Sequence, residues 1–117
     1  MQVALEPDLR RELHVLAAQS DSSIKDWIID RLASRERRQS LGGYLIERMG
    51  QAIVLAPPSN ADRFNIKLDH PQLDTSLDEL AEGLQRTRPQ VLYTLLVCLV
   101  DEHKEGLDVA PQRLRSA

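Results

Sequence analysis

The chain has 117 residues and 42% hydrophobic content, enough for one compact domain with a modest core, and with 3% aromatics that core must be mostly Leu, Val and Ile. A net charge of −3 argues against a general, sequence-independent nucleic-acid binder, whose affinity comes from Lys and Arg neutralising phosphates. The longest apolar run, residues 91–100, is interrupted by Thr94 and too short to span a bilayer, and the N-terminus reads as carrying no export signal. Cys98 is the single cysteine and has no partner for an internal disulfide, so a cytoplasmic protein with no membrane association is expected.

In chain order, Met1, Val3 and Leu5 alternate with Gln2 and Ala4, the period of a short strand with one buried face. Glu6-Pro7-Asp8 then opens a helix, since proline is tolerated in a first turn and acids there suit the helix dipole. That helix runs to about Gln19, with Leu9, Leu13, Leu16 and Ala17 on one stripe. The oxygens of Ser20-Asp21-Ser22-Ser23 can cap a second helix, whose apolar face is Ile24, Trp27, Ile28 and Leu32 and which reaches about Arg38. Arg35, Arg37 and Arg38 read as a solvated helix end, with contacts to a nucleic-acid backbone as the alternative, in a middle stretch where Arg48 and Arg63 also leave room for a local basic patch.

Gly42, Gly43 and Gly50 punctuate a short amphipathic stretch, residues 44–49. Residues 51–55 read as a brief strand or a packed extended segment, and Pro57-Pro58-Ser59-Asn60 forces a turn. Alternation returns at Phe64, Ile66 and Leu68, against Asn65 and Lys67. Asp69-His70-Pro71 opens a third helix carrying Leu73, Leu77, Leu80, Ala81 and Leu84. Thr87 is the expected cap of a fourth helix, residues 90–104, which is apolar nearly all round and so must be buried, ending at Gly106.

The second half repeats the first. Strand positions recur 63 residues on and, after one inserted residue, helical positions recur 64 residues on: Leu9, Leu13, Leu16 and Ala17 become Leu73, Leu77, Leu80 and Ala81, while Ser23, Ile28 and Leu32 become Thr87, Leu92 and Leu96. A strand-helix-helix unit of about 35 residues is too small to bury a core alone, so each copy is expected to supply the other's partner. The division is 1–38 for the first motif, 39–62 for a structured connector, 63–106 for the second motif and 107–117 for a loose tail.

Each copy resembles a ribbon-helix-helix motif of the MetJ/Arc type, on V-A-L, E-P-D-L-R-R-E-L, A-A-Q-S-D-S-S and I-K-D-W-I-I-D-R-L in the first copy and more loosely on residues 64–102 in the second. The tandem form is similar to TraY-like relaxosome accessory proteins. The resemblance implies a mainly α fold with a short two-stranded antiparallel ribbon, strand 1–5 against strand 64–68, pseudo-symmetric within one chain or swapped between chains. It implies that the ribbon enters the major groove of double-stranded DNA, with Gln2, Ala4, Asn65 and Lys67 at base edges. Phosphates would lie at the N-termini of the second helices, at Ser22, Ser23 and Lys25 and at Arg86, Thr87 and Arg88, with Arg63 as a further phosphate contact. The first strand has no Lys or Arg, so the second copy is the better equipped for DNA.

The implied role is a sequence-specific repressor or a plasmid or mobile-element accessory factor, with two chains able to bind adjacent sites. The alternative is a protein-interaction module, antitoxin-like or an adaptor, that keeps the scaffold with weak or no DNA binding. His14, His70 and His103 are scattered, no phosphate-binding glycine loop or Ser/His/Asp ordering is present, and paired acids such as Asp74 and Asp78 read as solvated. Neither an enzyme nor a cofactor or metal is therefore expected.

Overall fold

The computed structural model describes residues 1–51 and 53–104. It is mainly helical, in the order β1 (Gln2–Leu5), α1 (Pro7–Gln19), α2 (Ile24–Met49), β2 (Asp62–Asn65), α3 (Pro71–Leu84) and α4 (Arg88–Lys104). The two strands form one antiparallel ribbon within the chain, pairing Gln2 with Asn65, Val3 with Phe64, Ala4 with Arg63 and Leu5 with Asp62. The paired segment therefore starts two residues before the 64–68 expected from alternation. Setting Val3 opposite Phe64 puts both apolar side chains on one face. Past Asn65 the Ile66 N–H still donates to the Met1 carbonyl, at 2.9 Å. Ile66 and Leu68 continue inward and are buried, with Val3 and Leu5, on the helical side of the ribbon.

The two helix-helix turns are built alike. In the first, Asp21 is left-handed (φ 56°) and the Ser22 N–H reaches back to the Ala17 carbonyl at 2.9 Å; in the second, Gln85 is left-handed (φ 56°) and the Arg86 N–H reaches the Ala81 carbonyl at 3.0 Å. Both are Schellman closures, which occupy carbonyls the helix end leaves without partners. The residues involved stand 64 apart, as do the caps that follow: Ser23 Oγ accepts from the Asp26 N–H at 3.0 Å, and Thr87 Oγ1 from the Gln90 N–H at 3.3 Å. The change from an offset of 63 to 64 falls at Asp69, which adopts φ 54° between the second strand and the His70 cap of α3. A single left-handed residue absorbs the insertion without shifting either flanking face.

Helix α2 extends past the expected Arg38 to Met49, but Gln39 (φ −162°) and Ser40 (φ 65°, ψ 157°) leave helical geometry. Glu36 accepts from the Leu41 N–H at 3.2 Å and Ser40 Oγ from the Gly43 N–H at 3.1 Å, so the break re-caps the segment that carries buried Leu41, Tyr44 and Leu45. Gly42 lies against Leu80 of α3, 3.5 Å from where a Cβ would stand. Val54 and Leu55 pack on the core rather than joining the ribbon, with the Leu55 N–H donating to Thr94 Oγ1 at 2.9 Å. At the centre runs α4, buried from Val91 to Leu96 and at Cys98, Leu99 and Val100. It touches β1, α1, α2 and α3, which is why it is apolar on every side. Gly106 and the tail 107–117 lie outside the described residues.

Candidate nucleic-acid interface

Residues directly opposite in an antiparallel ribbon point to the same side, so the pairing fixes the outer face: Gln2 with Asn65 and Ala4 with Arg63. Gln2, Arg63 and Asn65 are exposed and Ala4 half-buried. Lys67 follows the same alternation beyond the paired segment, its side chain 84% exposed. Three of the four expected base readers thus share the paired face, and Lys67 extends it. Arg63, expected at phosphate, stands on the same face opposite the small Ala4. Its alternation with Asn65 and Lys67 was visible in the sequence, but a strand begun at Phe64 leaves it out.

Helix α4 starts beside the ribbon, and α2 starts near the segment that follows β2. A shallow groove lined by Gln2, Ala4, Arg63, Pro57, Pro89 and Gln90 joins the outer face to the first turn of α4. Tyr93, one turn on, donates its hydroxyl to Glu6 at the end of β1 at 2.9 Å; burial, then Glu6, pushes its pKa up to about 12. On the other side Lys25, in the first turn of α2, bonds Asp69 at 2.9 Å, and that hydrogen bond holds the Asp69 carboxyl below its usual value.

The helix starts themselves differ. In α4 the Thr87 N–H donates to Gln90 Oε1 at 3.0 Å while Gln90 donates back to Thr87, a reciprocal box, and Pro89 has no N–H. Few donors remain there for an anion. In α2 only the Asp26 N–H is taken by the Ser23 cap, and the buried Ser22 hydroxyl has no hydrogen-bond partner among the described residues.

Of the cations expected at phosphate, Arg88 is held by Asp74 at 3.0 Å and by Asp78 at 3.1 Å, so these two acids are ion-pair partners rather than merely solvated. Arg86 donates to the Gln85 carbonyl at 3.0 Å, and Lys67 stands 3.8 Å from Asp69. Arg63 makes no hydrogen bond or ion pair among the described residues. The basic cluster at 35–38 divides. Arg37 and Arg38 are exposed, but Arg35 is buried, 3% exposed, where it bonds the Glu102 carboxylate of α4 and lies over the Tyr44 ring, 5.4 Å from its centre. The expectation of a solvated Arg35 is therefore corrected: its stripe faces α4, and Glu102 compensates its charge. Burial alone would lower the Arg35 pKa, but the Glu102 hydrogen bond and charge outweigh it and raise it. Tyr44 donates to the same carboxylate at 3.2 Å, and burial raises its pKa.

Cys98 is buried and its thiol is pushed up to about 11, chiefly by burial, which leaves little nucleophilic thiolate near neutrality. Among the described residues no group of three or more His, Cys, Asp or Glu side chains could hold a metal ion, and no helix is long and apolar enough to cross a membrane. Compared with known proteins, the chain matches no family model, no curated protein and no solved structure.

Proposed function

We propose that the chain binds double-stranded DNA sequence-specifically, laying the outer face of its ribbon in the major groove, as a transcriptional repressor or a mobile-element accessory factor. The observation that carries the reading is that face itself: Gln2, Ala4, Arg63 and Asn65, in register and outside the core. Gln and Asn can pair with adenine N6 and N7, Arg with guanine O6 and N7, and a methyl group can meet thymine. A tandem ribbon-helix-helix arrangement with approximate two-fold symmetry accounts for the Schellman turns and caps repeating 64 residues apart.

A second reading, a protein-interaction module of the antitoxin-like kind, is favoured by the pairing of Lys25 with Asp69 and of Arg88 with Asp74 and Asp78, which removes cations that phosphates would need. Gel-shift titrations of the parent, Asn65→Ala and Lys67→Ala on duplex enriched by the parent distinguish the two. The DNA reading expects each variant to bind roughly 5- to 100-fold more weakly, with parental affinity falling as salt rises. If both variants bind as well as the parent, the ribbon is not the reader. No parental binding at low salt, or affinity indifferent to salt, favours the protein-interaction module.

A further inference from the structure

Among the exposed cations around the ribbon, Arg63 differs from the rest in two ways. It has no acidic, carbonyl or ring partner among the described residues, whereas Lys25, Arg86 and Arg88 each make a hydrogen bond at 3.0 Å or less, Lys67 stands beside Asp69 and Arg10 lies over the Phe64 ring, 5.2 Å from its centre. It is also on the paired part of the ribbon, opposite Ala4, whose methyl is too short to cover it or to offer it a hydrogen bond. A guanidinium held on a strand face presents a planar fork of donors that matches the two acceptors of guanine, O6 and N7. A phosphate contact would instead suit the flanks of the ribbon, where the helices begin.

We infer that Arg63 is the main specificity-determining residue of this surface, reading a guanine in the major groove. This rests on the DNA-binding reading above. The register adds a spacing. Arg63 and Asn65 are two residues apart on one strand, a separation of roughly 6.6 Å, and successive bases on one strand rise about 3.4 Å. The guanine read by Arg63 therefore stands about two base pairs from the adenine read by the amides of Asn65 and Gln2, with Ala4 beside Arg63 suited to a thymine methyl. Because the first copy sets uncharged Gln2 and Ala4 where the second sets Asn65 and Lys67, the preferred site is asymmetric.

The test is selection of duplexes from a random pool by the parent, Arg63→Ala and Arg63→Lys, followed by salt titration of each on the parental site and on that site with its guanine replaced. The parent is expected to enrich a guanine about two pairs from an adenine and to lose roughly 10- to 100-fold in affinity when that guanine is replaced. Arg63→Ala should bind both duplexes alike while keeping its adenine preference, and Arg63→Lys should recover part of the discrimination. The side chain is exposed and outside the core, so thermal melts of the variants should match the parent. Uniform weakening of Arg63→Ala on both duplexes, with the guanine preference kept and the salt slope reduced by about one, would make Arg63 a phosphate contact and overturn the inference. If the parent enriches no sequence, the DNA-binding reading fails and this inference fails with it.

Discussion

Ser40 holds a backbone conformation, φ 65° and ψ 157°, that suits glycine and costs other residues on the order of 1–3 kcal/mol. Its hydroxyl returns part of that by accepting from the Gly43 N–H, and replacing a capping Ser by Gly costs only a few tenths of a kcal/mol. Ser40→Gly is therefore expected to raise stability by about 1 kcal/mol, and Ser40→Ala, which keeps the strain and loses the cap, to lower it by a similar amount. Urea denaturation of the three proteins checks the order; a Ser40→Gly variant less stable than the parent would show that the strain is not there to relieve. At this level the sequence was legible where partners are local. Ser23 and Thr87 cap the helices they precede, and their acceptors and donors lie three residues apart. Arg35 was not legible, because its fate depends on Glu102, 67 positions away.

The break at Ser40 divides α2 into a part that packs as the first copy's second helix and a part that turns Tyr44 toward α4. Glycines 42 and 43 gave the break away in the sequence, though not that helix would resume beyond it. The Arg35–Glu102 pair, with Tyr44 on the same carboxylate, ties both parts of α2 to the C-terminal half of α4. Removing one member of a buried pair leaves the other charge uncompensated, at a cost of about 3–5 kcal/mol, whereas replacing both by apolar groups can be close to neutral. Arg35→Met and Glu102→Leu are each expected to lose stability in that range, and the double variant to lose clearly less than their sum. A thermal-denaturation double-mutant cycle measures the coupling; additive losses would mean that the two side chains do not compensate one another. The strands were legible by alternation but not by register, since Ile66 and Leu68 continue the same apolar pattern past the paired segment and alternation does not say where pairing begins.

Across the whole molecule, the repeated spacing of Leu9, Leu13, Leu16 and Ala17 at 73, 77, 80 and 81 anticipated the element order, and the single inserted residue is the left-handed Asp69. The central burial of α4 was legible instead from its apolar residues on every side, Val91 to Val100. Which exposed side chains come together was less legible, because that depends on strand register and on ion pairs such as Arg88 with Asp74 and Asp78, which alternation and helical period do not encode. On the proposed DNA-binding reading, the duplex lies on the outer face of the ribbon. Backbone amide shifts of the isotopically labelled protein, followed by NMR as duplex enriched by the parent is added at low salt, test it most directly. The expected result is that the largest changes fall in residues 2–5, 22–25, 62–67 and 86–90; the largest changes on the outer surfaces of α1 and α3, with the ribbon unmoved, would contradict it.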